Sequence, residues 1–251
     1  MTFIGIIPAR YASTRFPAKP LAKLCGKTVI EHVYKAVESV LDEAVVATDD
    51  ERICDAVKAF GGKAVMTSIH HKSGTDRVDE AYKKWDKEYD VVVNIQGDEP
   101  LIQPSHLLAI QHCFDHPKTQ IATLVKPFTS LDGWTALENP NFPKVVLDDF
   151  GRALYFSRSV IPYLRDVDRS EWLSMQTFYK HIGLYAYRPA VLAEITALPP
   201  SPLEMAESLE QLRWLQAGYH IQVGITQEET ISIDTPEDLA RAEVLLKTKM
   251  K

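Results

Sequence analysis

Through its first half the chain alternates short apolar runs with stretches whose apolar residues recur at helical spacing, and this limits the available folds more than any other feature. Phe3-Ile4-Gly5-Ile6-Ile7 is a continuous apolar run ended by Pro8, the pattern of a strand covered on both faces. A loop over residues 9–27 follows. Thr28 is placed to cap a helix on which Ile30, Val33, Tyr34 and Val37 share one face, and residues 44–48 read as the next strand. Asp49 or Asp50 opens a helix through Phe60, Gly61-Gly62 ends it, and residues 63–66 form a short strand. A helix over 76–85 then leads to Val91-Val92-Val93-Asn94-Ile95, the most strongly β-branched strand of the chain. Strands alternating with helices to about residue 125 imply right-handed crossovers and a mostly parallel, Rossmann-like sheet with helices on both faces.

In such sheets ligands lie beyond the carboxyl ends of the strands. Three segments therefore stand out: residues 9–19, the loop after Met66, and Gln96-Gly97-Asp98-Glu99-Pro100. The second half is less regular. Strands at 144–147 and 153–156 and the alternating Tyr179–Tyr187 predict a smaller mixed-sheet excursion. A helix is expected from Ser201 or Pro202 to about Ala217, stopped by Gly218, then a strand over 220–225. Thr235-Pro236 begins a final helix with Glu237 and Asp238 in its first turn. No repeat or low-complexity linker interrupts the 251 residues, so one α/β domain is expected, with halves meeting near residue 125.

Charge adds a local constraint. The chain has a formal charge of −6, yet its first 30 residues hold Arg10, Arg15, Lys19, Lys23 and Lys27 with no acid before Glu31. Bulk acidity argues against general nucleic-acid binding, whereas a cationic loop suits a small polyanion such as a triphosphate. Cys25, Cys54 and Cys113 lie far apart without metal-site spacing, which predicts reduced thiols. No apolar run approaches the roughly 18 residues of a membrane span, and the N-terminus lacks a signal-peptide pattern. An unprocessed cytoplasmic protein without membrane insertion is the expectation. Cys25-Gly26-Lys27-Thr28 ends like a phosphate-binding P-loop, but Leu21 stands where that pattern needs glycine, so a turn followed by a helix cap is expected.

The informative motif is Pro8-Ala9-Arg10-Tyr11-Ala12-Ser13-Thr14-Arg15-Phe16-Pro17-Ala18-Lys19-Pro20-Leu21. After a buried strand it sets small residues, which let backbone N–H groups approach a ligand, beside cations spaced along one phosphate chain. Attack at an α-phosphorus builds negative charge on the nonbridging oxygens and the departing pyrophosphate, which such cations stabilise. This stretch resembles the signature loop of sugar nucleotidyltransferases, in the form found in the 3-deoxy-manno-octulosonate (Kdo) cytidylyltransferase family. Ala18 departs from that form, which usually has glycine before the lysine. The resemblance continues through Val46-Ala47-Thr48-Asp49-Asp50, His71-Lys72-Ser73-Gly74-Thr75-Asp76-Arg77, Asn94-Ile95-Gln96-Gly97-Asp98-Glu99-Pro100, His181-Ile182-Gly183-Leu184-Tyr185-Ala186-Tyr187-Arg188, Glu210-Gln211-Leu212-Arg213 and Ile233-Asp234-Thr235-Pro236-Glu237-Asp238.

The residues alone leave alternatives open. Ser73 or Thr75 could simply cap a helix, Asp98 could be a turn aspartate, and Asp234 or Thr235 could cap the last helix. A lone histidine such as His181 on an alternating strand is usually structural. The resemblance implies more. The nucleotide is expected at Arg10, Ser13, Lys19, Ser73, Gly74, Thr75, Arg77 and Gln96, and the sugar acid at Gln96, His181, Gly183, Tyr185, Glu210 and Gln211. Asp98 and Asp234 are expected to hold Mg²⁺, and Arg10, Lys19, Asp98 and Asp234 to carry catalysis. Arg158 is a further candidate, because guanidinium binds a sugar carboxylate bidentately. The implied activity is Mg²⁺-dependent cytidylyl transfer from CTP to Kdo, a 2-keto-3-deoxy sugar acid, for lipopolysaccharide synthesis, with a nucleotide-binding first half and a sugar-binding, dimer-forming second half. A modified octulosonate such as an 8-amino form is the nearest alternative substrate, and a silent nucleotide-binding module is the alternative from another class.

Overall fold

The computed structural model describes residues 1–12 and 16–249; Ser13 and Arg15 of the first loop lie outside them. In chain order the principal elements are β1 (Phe3–Ala9), α1 (Val29–Glu38), β2 (Glu43–Thr48), α2 (Glu51–Ala59), β3 (Ala64–Met66), α3 (Gly74–Trp85), β4 (Val91–Asn94) and α4 (Pro104–His112). They continue as β5 (Ile121–Pro127), β6 (Lys144–Leu147), β7 (Ala153–Ser157), β8 (Tyr179–Tyr187), α5 (Pro202–Glu207), α6 (Gln211–Gln216), β9 (Ile221–Ile225) and α7 (Pro236–Lys249). The result is the expected α/β architecture, a mostly parallel sheet with helices and a smaller antiparallel part.

The chain divides into two compact units that are interleaved in sequence. The first comprises Met1–Leu108, Ala186–Thr196 and Glu229–Lys251, the second Ala109–Tyr185 and Ala197–Glu228. These differ from two halves meeting near residue 125, because the chain returns twice to the first unit.

In the first unit β1 lies between β4 and β2, with β3 beyond β2, all parallel. The helices start where side chains supply acceptors for orphan N–H groups: Thr28 for Glu31 N–H, Asp50 for Arg52 N–H and Ser73 for Asp76 N–H. At Gly5 α1 packs so closely on β1 that an added Cβ would lie 2.3 Å from Val37 Cγ1. β1 runs past Pro8, which was expected to end it. Pairing with β4 stops at Ile6–Asn94 while pairing with β2 continues to Ala9–Thr48, so Pro8 has one unpaired flank, where a missing N–H is tolerated. Cys25-Gly26 forms the turn between two short strands, and Thr28 then caps α1, as expected in place of a P-loop.

In the second unit β9 pairs in parallel with β5, and β6 pairs antiparallel with β7 and β8. Phe128, Leu137, Trp172 and Phe178 form a separate aromatic core there. The helix expected over 201–217 is broken. Ser201 caps α5, but Ser208 adopts a left-handed conformation with φ of 51° and the chain restarts as α6. The intervening turn carries Glu210 and leads directly into Gln211.

Candidate active site

In the first unit the carboxyl ends of β1 and β4 open into a hollow of about 240 Å³ lined by Arg10, Ala12, Lys19, Gln96, Gly97 and Asp98, among others. Four of the residues singled out in the sequence thus share one cavity. Gly97 permits this closeness, since a Cβ there would sit 2.7 Å from the Pro8 carbonyl oxygen. The first loop closes through the Ala18 N–H, which donates to the Tyr11 carbonyl at 3.0 Å. Ala18 has φ of 56°, the left-handed region that explains why a glycine suits this position.

Asp98 and Asp234, 136 positions apart, converge on one cation. Lys19 Nζ donates to Asp98 Oδ2 at 2.5 Å and to Asp234 Oδ1 at 3.2 Å. The backbone brings them together: the Ile233 N–H donates to the Asp98 carbonyl at 2.9 Å, and the Ile233 side chain is buried with Leu24, Val29, Leu101 and Ala242. Thr235, rather than Asp234, caps α7. Its hydroxyl accepts from the Asp238 N–H at 3.2 Å, while Asp238 Oδ2 accepts from the Thr235 N–H at 3.0 Å. That reciprocal cap leaves the Asp234 carboxylate directed at Lys19.

The two carboxylates fit a magnesium site by their chemistry. Hard oxygen donors around a cationic centre are what Mg²⁺ takes, and it commonly uses only one or two protein carboxylates, completing its shell with phosphate and water. The Lys19 ammonium marks the position as one that holds positive charge. Among the described residues no group of three or more His, Cys, Asp or Glu side chains offers an all-protein cage.

Arg10 donates to the His71 carbonyl, tying the first loop to the segment before α3. His71 in turn pairs with Glu80, which also accepts from the Ser68 N–H at 2.9 Å. Burial works against the Glu80 charge, but hydrogen bonds from Lys84, Ser68 and His71 hold its carboxyl down at about 2. Ser73 is the α3 cap; its oxygen accepts from the Asp76 N–H at 3.1 Å, leaving its O–H available as a donor. Gly74 opens α3, and Thr75 is buried behind it.

The Arg77 side chain is fully buried, with Nη2 donating to Asp49 Oδ2 at 2.7 Å and Nη1 to Thr67 Oγ1 at 2.5 Å. Burial lowers its pKa and Asp49 opposes that shift. In this arrangement the guanidinium ties the ends of β2 and β3 to α3, while its buried Nε has no hydrogen-bond partner among the described residues.

The second unit gathers the remaining candidates. His181 stacks edge-on with Phe156 at 5.2 Å between centroids and lies 5.3 Å from Tyr185, which meets Trp214 at 5.1 Å. Thr123 Oγ1 donates to the Leu184 carbonyl at 2.8 Å and lies 3.0 Å from His181 Nε2. The Ile182 carbonyl is a second acceptor for that hydroxyl at 3.2 Å, so with its proton on the backbone Thr123 can accept from a protonated Nε2, the tautomer that leaves Nδ1 as an acceptor. Burial pushes the His181 pKa down to about 3, so the ring is neutral near pH 7.

A Cβ on Gly183 would meet nothing within 4 Å. Glu210 Oε1 accepts from Arg213 Nη2 at 2.9 Å. Gln211 is buried, and its Nε2 has no hydrogen-bond partner among the described residues. The Arg158 guanidinium donates to the carbonyls of Glu207 at 2.6 Å, Pro140 at 2.9 Å and Ser208 at 3.1 Å, which commits three of its five N–H groups to backbone. Sequence reasoning passed over Lys144 and Glu207, which surround this arginine. The one local signal was a lysine heading the apolar run Val145-Val146-Leu147. A larger hollow of about 500 Å³ in this unit, between His116, Lys118, Phe150, Arg152, His220 and Gln222, contains none of the candidates.

A parallel α/β frame with cations and paired carboxylates at its strand ends defines a nucleotidyltransferase fold. The chain belongs to the cytidylyltransferase family, whose model matches residues 4–230. It is 69% identical over 249 residues to the 3-deoxy-manno-octulosonate cytidylyltransferase of Phocaeicola vulgatus, with 99% of each chain covered. It is 67% identical to the protein of the same name from Bacteroides thetaiotaomicron, over 99% of this chain and 100% of that one. Among solved structures it resembles a CMP:2-keto-3-deoxy-manno-octonic acid synthetase complexed with CTP, at a TM-score of 0.90 and 41% identity over 99% of this chain and 100% of that one.

Proposed function

We propose that this chain transfers the cytidylyl group of CTP to Kdo, giving CMP-Kdo and pyrophosphate. The observation that carries the reading is the convergence of Asp98 and Asp234 on Lys19, at the hollow that Lys19 and Asp98 line with Arg10 and Gln96. Relatives bearing that activity in their names, at 69% and 67% identity, support it. In the reaction the anomeric hydroxyl oxygen of the sugar bonds to the α-phosphorus, the bond from that phosphorus to the bridging oxygen breaks, pyrophosphate leaves, and the hydroxyl proton passes to solvent.

The protein's own groups have separable tasks. Arg10 and Lys19 bind the triphosphate and offset the charge that grows on departing pyrophosphate. The Ser73 hydroxyl and the start of α3 hydrogen-bond the nucleotide, and Gln96, which lines the hollow, supplies an amide. Asp98 and Asp234 would hold Mg²⁺, which supplies charge screening and lowers the pKa of the attacking hydroxyl. Lys19 must leave the two carboxylates for that ion to be held, and the incoming phosphates offer its ammonium a new partner. In the second unit the neutral His181 accepts a sugar hydroxyl at Nδ1, and the Gln211 amide donates from its buried Nε2. Arg77 and Arg158 act through the segments they brace.

The reading carries with it a homodimer, work in the cytoplasm and a supply of activated sugar for lipopolysaccharide synthesis; no described helix is long and apolar enough to cross a membrane. Pyrophosphate release tests it. Release should require CTP, Mg²⁺ and Kdo together, and release that does not depend on the sugar refutes the assignment.

A further inference from the structure

Three segments of the second unit meet around charges that the reaction does not use: residues 139–144, the end of β7 at Ser157 and Arg158, and the turn from Glu207 to Gln211. Lys144 is fully buried, and its Nζ donates to the carbonyls of Asn139 at 3.1 Å and Arg158 at 2.6 Å. Glu207 Oε1 accepts from the Ser157 hydroxyl at 2.7 Å and Oε2 from the Arg158 N–H at 2.9 Å. The Arg158 guanidinium closes the circuit onto the carbonyls of Pro140, Glu207 and the left-handed Ser208.

Both sugar-facing elements are fastened to this circuit. The Pro143 carbonyl accepts from the His181 N–H at 2.9 Å, and Lys144 is in register with Lys180 on the neighbouring strand. On the other side, Ser208 and Glu207 immediately precede Glu210 and Gln211. We infer that Lys144, Arg158 and Glu207 are positioning residues, a buried strap that fixes the spacing between His181 and the Glu210–Gln211 pair without touching the sugar. The inference rests on the proposed function for the identity of that sugar.

The energetics favour placement over stability. A buried lysine is costly, and apolar residues of similar volume would often hold three segments together as firmly. Burial pulls the Lys144 pKa down to about 8, with the Glu207 charge resisting and Arg158 adding to the shift. What charged groups add over apolar ones is direction: each donor fixes a particular carbonyl, and two of these, Glu207 and Ser208, belong to the turn that leads to Glu210 and Gln211.

Glu207→Gln separates this role from direct contact, because the two give opposite signs. Were this region an anion contact, removing a carboxylate would leave binding of a sugar acid unchanged or improved. As a strap component, Glu207→Gln loses one of its two acceptors and should raise KM for Kdo by about tenfold while KM for CTP stays within about twofold. Lys144→Met, which keeps the stem volume and loses the donors, should give the same split should the glutamine variant fold poorly. Hydrogen exchange without substrate provides a second measurement: either variant should speed exchange at the His181 amide and across 207–212, with the first unit unchanged. An unchanged or lowered sugar KM, or KM values for both substrates rising together with a loss of melting temperature, overturns the strap. So does unaltered exchange. Faster exchange in a protein whose wild type releases no pyrophosphate with Kdo would uphold the strap and refute the functional reading alone.

Discussion

Replacing Lys19 with methionine should strengthen divalent-ion binding to the nucleotide-free protein while weakening its hold on CTP. The ammonium lies 2.5 Å from Asp98 and 3.2 Å from Asp234, so an ion shared by those carboxylates must first displace it. The shorter contact involves a lysine side chain only 13% exposed and is treated as a partly buried charged hydrogen bond, about 1.5 kcal/mol. The longer one reaches an aspartate side chain 38% exposed and is discounted to about 0.5 kcal/mol. Removing both obstacles, about 2 kcal/mol together, corresponds to roughly thirtyfold in affinity. Electron paramagnetic resonance titration with Mn²⁺ as the probe reads this directly, without turnover. Wild type should bind Mn²⁺ weakly until CTP is added, Lys19→Met should bind it about thirtyfold more tightly without CTP, and adding Asp98→Asn should abolish the gain. Equal Mn²⁺ affinity in wild type and Lys19→Met refutes the argument that lysine and metal compete for one position.

Two further outcomes follow from local conformation and burial. Ala18→Gly should stabilise the protein by about 0.5–1 kcal/mol, because about 1–2 kcal/mol of left-handed strain is relieved against about 0.5–1 kcal/mol of added chain entropy; a lowered melting temperature contradicts this. His181 has its pKa lowered to about 3 in the fold, so the unfolded chain takes up this proton first, near 6.5. Stability from the neutral ring is fully present above about pH 6.5 and is lost as the pH falls toward 3. The melting temperature of wild type relative to His181→Gln should therefore decline across that window, and a difference independent of pH refutes the assignment.

What could be read from the sequence was mostly local. Thr28, Asp50 and Ser73 cap their helices because a short polar side chain beside an apolar periodic stretch leaves few other roles. Arg10, Lys19, Gln96 and Asp98 could be placed together because strand ends in a parallel sheet share one rim. What the sequence did not announce is non-local. Arg77 reaches Asp49 and Thr67, which follow the ends of two other strands. Arg158 engages the carbonyls of Pro140, Glu207 and Ser208, which lie far from it in sequence. The helix break at Ser208 carries no glycine or proline to announce it, and its left-handed residue is held by contacts from a strand some 50 positions earlier. Pro8 pointed to a strand end that unequal pairing on its two flanks postponed.

The central claim is tested most directly by product formation over a panel of the four common nucleoside triphosphates against Kdo, its 8-amino analogue and hexose phosphates, each with Mg²⁺. The account predicts that CTP with Kdo gives one pyrophosphate for every CMP-Kdo detected by mass. Activity confined to UTP with hexose phosphates, or CTP turnover that yields no nucleotide-linked sugar acid, would contradict it.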